Sequence, residues 1–185
     1  MGAKLDIDHT SFSHGQIISK VWLCDNIEKY LKNDTKILIL GAWYNVLGFM
    51  LLTRYKQITK ITGVDINKDV KFIADRICDA WPSIVNNITM DADLFDSSDY
   101  DIIINCSPEH MKTNDWFFNI SKNKLVIIQS SNVTIEEEPW LVSNPNPTID
   151  RFITKYKCNN THFIDTLSID YTHWGYKRFM LIGEK

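Results

Sequence analysis

One segment in the first third of the chain constrains the fold more than any other. The apolar run Lys36–Leu40 is followed by Gly41, and about twenty residues later a second apolar run, Ile61–Ile66, carries Asp65 near its end. This pattern predicts a buried strand, a tight glycine turn, a helix and a second strand that ends in an acid. Such a turn lets backbone approach a ligand, and the carboxylate can accept hydrogen bonds from ribose hydroxyls. The pattern is therefore typical of a site for a nucleotide-type cofactor.

The rest of the chain continues the alternation of strand and helix. Apolar runs predict further strands, and residues three and four apart predict helices between them. Alternation of this kind predicts a parallel sheet with helices on both faces, and two closing strands with a short connection must pair antiparallel. We therefore predict an α/β three-layer sandwich with a seven-stranded, mostly parallel sheet and a C-terminal antiparallel hairpin. The predicted strands are 36–40, 60–66, 87–90, 100–105, 124–129, about 163–171 and 176–183, and the predicted helices are 13–32, about 45–55, 68–81, about 115–120 and one that starts at 146–147.

Three local features complete this prediction. Ser13 and Gln16 have the spacing of a capping box, and Asn67 is placed to cap the helix over 68–81. The helix over 45–55 is apolar nearly all round, so we expect it to be deeply buried. We see no second domain and expect residues 1–185 to form one domain, with an N-terminal helix over about 13–32 and a core over about 35–185.

Composition limits the kinds of partner. Of 185 residues, 44% are hydrophobic and 23% are charged, which indicates a globular chain. Twenty basic and 23 acidic residues give a net charge of −3, so no global basic field would attract nucleic acid. Nucleic acid is therefore possible but not indicated by net charge, and local basic residues keep it open. These are Lys155, Lys157, Lys177 and Arg178.

The cysteines and the apolar runs bear on compartment and metal binding. The four cysteines show no C-x-x-C spacing, and no pair of Asp, Glu and His has the spacing of metal ligands, so we expect no metal. No apolar run reaches the 18 or more residues of a membrane span, and the first residues lack the apolar core of a signal peptide. We expect a cytoplasmic protein with free thiols and no membrane partner. The sequence carries no signal for an oligomeric state.

Over residues 13 to 185 the chain resembles the class I S-adenosylmethionine (SAM)-dependent methyltransferases, which have a Rossmann-like fold. The resemblance lies in the strand–glycine–helix at 36–55, the segments 63–66, 90–93 and 101–111, and the terminal hairpin. It implies SAM as the cofactor. In that family an acid after the second strand binds both ribose hydroxyls, and an acid after the third binds the adenine amino group. The matching cofactor-binding positions here are Gly41, Ala42 and Trp43 in the turn, Asp65 and Ile66, Asp91, Ala92 and Asp93, and Asn105.

The turn after the first strand departs from the family pattern. The family has Gly-x-Gly-x-Gly with an acid two residues before the first glycine. Here the glycine positions hold Gly41, Trp43 and Asn45, and Ile39 replaces the acid. Because a residue with a Cβ disfavours the backbone that glycine adopts there, we expect Trp43 to alter this turn. The methionine end of SAM is then held differently, or the site is partly lost.

The end of the fourth predicted strand is the most polar strand end in the chain. Residues 105–111 carry an amide, a thiol, a hydroxyl, a carboxylate and an imidazole, and ligands of open α/β sheets bind beyond such strand ends. We predict a catalytic site in which Asn105 or Ser107 orients the acceptor and Glu109 or His110 acts as general base. A histidine suits that role near neutral pH. The alternative is a proline-containing turn with a satisfied histidine.

The six tryptophans divide into two groups. Trp22 and Trp81 fall on apolar helix faces and are expected in the core. Four others are predicted in turns or loops near the ligand, where they could stack on a flat acceptor or simply pack at loop bases. They are Trp43, Trp116, Trp140 and Trp174.

We therefore expect a SAM-dependent methyltransferase that acts on a small molecule or a nucleobase. One alternative is a SAM-binding enzyme of another reaction type, such as aminopropyl transfer or SAM cleavage. Another is a catalytically degenerate subunit that serves protein interaction, which the lost glycines suggest. A nicotinamide oxidoreductase is disfavoured, because the chain lacks the G-x-G-x-x-G fingerprint.

Overall fold

A computed structural model describes residues 7–134, 136 and 142–185. The described part contains seven strands: β1 (Thr35–Leu40), β2 (Ile58–Asp65), β3 (Val85–Thr89), β4 (Ile102–Asn105), β5 (Leu125–Ser131), β6 (Asn160–Asp170) and β7 (Gly175–Glu184). The α-helices are α1 (His14–Ile27), α2 (Val46–Arg54), α3 (Lys68–Ile77), α4 (Asp115–Phe118) and α5 (Ile149–Lys155). Short 3₁₀ turns cover His9–Phe12, Glu28–Tyr30, Ala92–Leu94 and Pro108–His110.

All seven strands form one sheet in the order β3-β2-β1-β4-β5-β7-β6. The strands from β3 to β5 pair in parallel, while β7 pairs antiparallel with both β5 and β6. The predicted α/β architecture with a mostly parallel sheet and a terminal antiparallel hairpin is confirmed. Because β7 runs against β5, the β6–β7 hairpin lies at the same sheet edge as the carboxyl ends of the parallel strands.

The pleat of the sheet divides the core between its two faces. Alternate residues of the central strands point to opposite sides, so each apolar run contributes side chains to the core on both faces of the sheet. One layer packs α1 and α2 against residues such as Ile37, Ile104 and Ile127. The other packs α4 and α5 against residues such as Leu38, Ile103 and Ile128.

Three local predictions are wrong in part. Helix α3 ends at Ile77 rather than at 81, because Cys78 leaves the helical conformation. In α2, Phe49 is 38% exposed, although Leu47 and Leu51 are buried, so this helix has an outer face. Ser13 precedes α1 but forms no capping hydrogen bond through its side chain. Gln16, its predicted partner in a capping box, instead accepts a hydrogen bond from Lys20 at 2.6 Å.

The predicted cap of α3 is confirmed, since Asn67 accepts a hydrogen bond from the Asp69 N–H. The tryptophans follow the prediction only in part. Trp116 is 2% exposed and packs in the core, because α4 turns its indole inward. Trp174 is 58% exposed on the hairpin. Trp140, predicted near the ligand, lies outside the described residues.

Candidate functional site

The turn between β1 and α2 has a glycine-like backbone at two positions that hold no glycine. The φ angles of Gly41, Trp43 and Asn45 are 65°, 49° and 51°. These alternate residues are the three positions at which the resembled family carries glycine. A left-handed backbone costs a residue with a side chain about 1–2 kcal/mol, and Asn tolerates it best. The turn thus has positive φ at both substituted positions, Trp43 and Asn45.

Asn45 fixes the end of this turn. Its side chain accepts a hydrogen bond from the Gly48 N–H at 3.2 Å, which caps α2. Its amide nitrogen donates to Asn87 of β3 at 2.7 Å, and the side chain is fully buried. A Cβ at Gly63 would approach both amides to 2.8 Å, so glycine there makes room for the pair.

Asp65 lies at the tip of β2 and faces the turn. Its carboxylate accepts hydrogen bonds from the Trp43 N–H at 2.8 Å and from the Asn67 N–H at 2.9 Å, one on each oxygen. Each carboxylate oxygen has two lone pairs, so both can accept a further hydroxyl donor. The cavity beside the carboxylate, which Ala42 also lines, is about 10 Å³.

Asp91 lies at the tip of the neighbouring strand. The Met90 N–H donates to the Asp65 carbonyl at 3.0 Å, which places the two strand tips side by side. Asp91 caps the 3₁₀ turn Ala92–Leu94 through one oxygen, which accepts from the Asp93 N–H at 3.0 Å. The structure therefore brings together the two acids that the sequence singled out for ribose and adenine.

Asp93 has a different environment. Its carboxylate accepts a hydrogen bond from the Thr113 hydroxyl at 2.7 Å and another from the Trp116 N–H at 2.7 Å. Its carbonyl accepts from Asn119 at 3.0 Å. These contacts join the loop after β3 to α4, so Asp93 fixes the position of this loop.

Apolar side chains are exposed around the two acids. Ile66 is 71% exposed, Met90 41% and Leu94 78%. Isolated exposed apolar residues are ordinary, but three beside convergent polar groups resemble the lining of a ligand site.

The loop after β4 faces the turn after β1. A Cβ at Gly41 would lie 3.0 Å from the Ser107 hydroxyl oxygen and 3.2 Å from the end of Met111. Asn105 is fully buried, and its amide oxygen accepts from the Ser107 N–H at 3.0 Å, while its nitrogen lies 3.2 Å from the Met111 sulfur. Both the oxygen and the nitrogen of the Asn105 side-chain amide therefore contact the loop.

Glu109 is 1% exposed, although the sequence proposed it as a general base. Its carboxylate accepts hydrogen bonds from Ser130 at 2.9 Å and Ser131 at 3.1 Å, and it pairs with Arg178 at 3.2 Å. It therefore lies over the tip of β5 and ties the loop to β7. The other proposed base, His110, is exposed at the same edge.

Arg178 was not singled out by the sequence as a site residue. It is 5% exposed, and it also donates to the Cys106 carbonyl at 2.7 Å. A charged residue at an inward position of an apolar strand is the signal that could have identified it, because such charges are almost always paired. Ser130 and Ser131 carry a weaker signal of the same kind.

A second cavity is present among the described residues. A larger pocket of about 480 Å³ lies between α1, α2 and α3, but its lining is apolar: Phe12, Ile17, Val46, Phe49, Met50 and Ile77. No polar groups converge there, unlike at Asp65 and Asp91.

In the described part of the chain, no three His, Cys, Asp or Glu side chains group as metal ligands, and no helix is long and apolar enough to cross a membrane.

Comparisons with known proteins agree with this architecture. Neither a family model nor a curated protein matches the sequence. Among solved structures, the chain is similar to magnesium protoporphyrin IX methyltransferase from Synechocystis PCC 6803 with bound SAM, with a TM-score of 0.68, 10% identity, and coverage of 100% of this chain and 87% of that one. It is also similar to the N-methyltransferase NodS from Bradyrhizobium japonicum WM9 in complex with S-adenosylhomocysteine, with a TM-score of 0.71, 10% identity, and coverage of 99% and 94%.

A third similar structure is geranyl diphosphate methyltransferase in complex with SAM, with a TM-score of 0.69, 10% identity, and coverage of 91% of this chain and 85% of that one. The two substrates that these names give, magnesium protoporphyrin IX and geranyl diphosphate, differ widely, so the likeness concerns the scaffold and not the acceptor. The strand order, the reversed seventh strand and these matches lead to one conclusion. The chain has the Rossmann-like fold of the class I SAM-dependent methyltransferases.

Proposed function

We propose that this chain is a SAM-dependent methyltransferase that transfers the sulfonium methyl group to a small-molecule or nucleobase acceptor. One observation carries the proposal. Two acids lie side by side at the tips of β2 and β3, next to a turn that has positive φ at Gly41, Trp43 and Asn45. Similar folds that are crystallised with SAM or S-adenosylhomocysteine support the same cofactor.

The residues present are of the kind that a nucleoside needs. Asp65 would accept the two ribose hydroxyls through its remaining lone pairs, and Asp91 would accept from the adenine amino group. Ile66 and Ala92 would flank the base. The backbone of Gly41, Ala42 and Trp43 would run along the amino-acid end of the cofactor.

Bound SAM supplies a methyl group that is already activated by its sulfonium. The protein's contribution is to align the acceptor with that methyl group and to exclude water, since correct alignment supplies much of the rate. The loop 105–111 is suited to this role, because contacts of Glu109, Asn105 and Arg178 hold it at the strand tips.

On the acceptor side, we propose that Ser107 orients the acceptor and His110 takes a proton from it where the acceptor carries one. His110 is exposed at the site edge, whereas the carboxylate of Glu109 is buried and paired. The net charge of −3 favours a small molecule or a single nucleobase over a polynucleotide. We further propose a single domain and a cytoplasmic location.

Replacement of Asp65 tests this proposal. We expect Asp65→Ala to weaken SAM binding at least about tenfold, because two charge-assisted hydrogen bonds to the ribose are lost. Isothermal titration calorimetry with SAM measures the change. Asp69→Ala is the matched control, since Asp69 is exposed in the first turn of α3 and should leave affinity unchanged.

Equal affinity of Asp65→Ala and wild type for SAM would remove this assignment. If the wild-type protein does not bind SAM at millimolar concentration, the alternative of a non-catalytic interaction subunit is favoured. If SAM is consumed and methylthioadenosine is released instead of S-adenosylhomocysteine, the enzyme performs another SAM reaction.

A further inference from the structure

Lys20 of α1 is a cation without a carboxylate partner beside the proposed acceptor site. Its ammonium group donates to the side-chain oxygen of Gln16 at 2.6 Å and to the Gln16 carbonyl at 3.3 Å. An ammonium has three N–H groups, so one remains. Lys20 forms no ion pair with any residue in the described part of the chain, although its side chain is largely covered.

The surroundings of Lys20 are positively charged. Burial lowers the pKa of Lys20 to about 8, and the nearby Arg178 guanidinium lowers it as well, while the Cys106 thiolate would raise it. Burial also raises the pKa of Cys106 to about 11, so this thiol is neutral near pH 7 and contributes no charge. Lys20 therefore has a cation and a neutral thiol as its close titratable neighbours.

Arg178 does not have its donors satisfied either. One terminal nitrogen pairs with Glu109 and the other donates to the Cys106 carbonyl, but its buried Nε has no hydrogen-bond partner among the described residues. Lys155 is also close enough to Glu109 to be attracted by its carboxylate. Arg178 and Lys155 thus share the Glu109 carboxylate, while Lys20, beside Arg178, has no carboxylate of its own. Buried charge of one sign is costly unless a ligand compensates it.

The position of this cluster relates it to the site. Cys106 and Ser107 follow directly on β4, and Ser107 faces Gly41 of the turn. Gln129 of β5 donates to the Ser19 carbonyl at 2.8 Å, which holds α1 against this part of the sheet. Lys20 is the next residue, and its ammonium is close enough to interact with Cys106 and Arg178, which places it beside the loop that we propose positions the acceptor.

We propose that Lys20 and Arg178 form a subsite for a carboxylate group at the acceptor side of the methyl-transfer site. The role of this subsite in methyl transfer rests on the proposed function. Its ability to bind a carboxylate does not. The carboxylate belongs either to the acceptor or to the amino-acid end of the cofactor. In either case it supplies the negative charge that the cluster lacks and accepts the free N–H of Lys20.

Calorimetry with matched pairs of small molecules tests the subsite. The first pair is S-adenosylhomocysteine and 5′-methylthioadenosine, which share the nucleoside but differ in the carboxylate-bearing end. The second pair is benzoate and benzamide, titrated into protein saturated with S-adenosylhomocysteine. Each is measured with wild type, with Lys20→Met, and with Lys122→Met as a control, since Lys122 is an exposed lysine on the loop before β5.

If the cofactor's carboxylate binds here, Lys20→Met loses at least about tenfold in affinity for S-adenosylhomocysteine and none for methylthioadenosine. If the acceptor's carboxylate binds here, S-adenosylhomocysteine is unaffected. Wild type and Lys122→Met then bind benzoate but not benzamide, and Lys20→Met loses the benzoate binding. Either result supports the subsite.

The proposal is overturned if Lys20→Met changes neither S-adenosylhomocysteine binding nor benzoate binding, or if benzoate does not bind and S-adenosylhomocysteine affinity is unchanged. Failure of the proposed function is recognised separately, because wild type then binds neither nucleoside. In that case, benzoate is titrated into the ligand-free protein to test whether the subsite binds a carboxylate. Loss of benzoate binding in Lys20→Met would support it, and no binding would reject it.

Discussion

At the scale of single residues, the turn after β1 shows how a sequence can lose glycines and keep their backbone. Asn45 adopts a φ of 51° and is fully buried. Asn is the substitute that such a position tolerates best, because its short amide can form local hydrogen bonds. Here the amide caps α2 and bonds to Asn87, so these two bonds offset the cost of the backbone.

Two replacements of Asn45 separate the backbone from the side chain. Asn45→Ala loses both hydrogen bonds and keeps a Cβ in the left-handed region, so we expect it to lower the free energy of unfolding by about 3 kcal/mol. Asn45→Gly loses the same hydrogen bonds without the backbone cost, and should be less destabilising by about 1 kcal/mol. Urea unfolding measures both. Equal losses in the two variants would mean that the left-handed backbone carries no cost here.

At the scale of elements, α1 is held against the terminal hairpin through Gly15. The Gly15 N–H donates to the Tyr171 hydroxyl at 3.0 Å, and a Cβ at Gly15 would collide with the Tyr176 hydroxyl. On the hairpin, Tyr171 and Trp174 stack with ring centroids 4.5 Å apart. The first helix and the last two strands therefore meet at the sheet edge that carries the site.

This contact predicts a coupling between two substitutions. Gly15→Ala should lower the free energy of unfolding by about 1–3 kcal/mol, because the added methyl group overpacks the contact with Tyr176. In a Tyr176→Phe background the hydroxyl is gone, and the better helix propensity of alanine offsets part of the remaining cost. A double-mutant cycle by urea unfolding measures the coupling. Additive effects would show that residue 15 and the Tyr176 hydroxyl do not interact.

Helices and strands also show what the sequence could predict. The central strands β1, β4 and β5 are apolar runs, so their presence follows from the pattern, as does the acid Asp65 near the end of β2. Asp91 was identified through the family resemblance. The network of Glu109, Ser130 and Arg178 does not follow from the pattern, because it joins segments that meet only through the register of β5 on β7. Trp116 illustrates the same limit, since a four-residue helix has too few turns to show an inward face.

At the scale of the whole molecule, the four cysteine thiols, three of them buried and Cys106 partly buried, contribute to the stability of the protein in alkali. Burial raises the pKa of Cys24 to about 12 and the pKa values of Cys78, Cys106 and Cys158 to about 11, from an ordinary 9.0. Between pH 9 and about pH 11 the unfolded chain loses thiol protons that the folded chain retains. The thiols therefore contribute stability that is fully present below pH 9 and is lost as the pH rises towards 11.

Lys20 changes the pH dependence of stability in the direction opposite to that of the thiols. Its pKa falls from 10.5 to about 8 on folding, so the stability it contributes is present above pH 10.5 and is lost as the pH falls through 8. We expect the free energy of unfolding to decline between about pH 9 and pH 11, by roughly 2 kcal/mol for each thiol, with Lys20 offsetting part of the decline. Lys20→Met should therefore steepen the decline, and Cys24→Ala should flatten it. Urea unfolding in reducing buffer across this range measures all three proteins, and a wild-type profile that does not fall with pH would contradict the burial of these thiols.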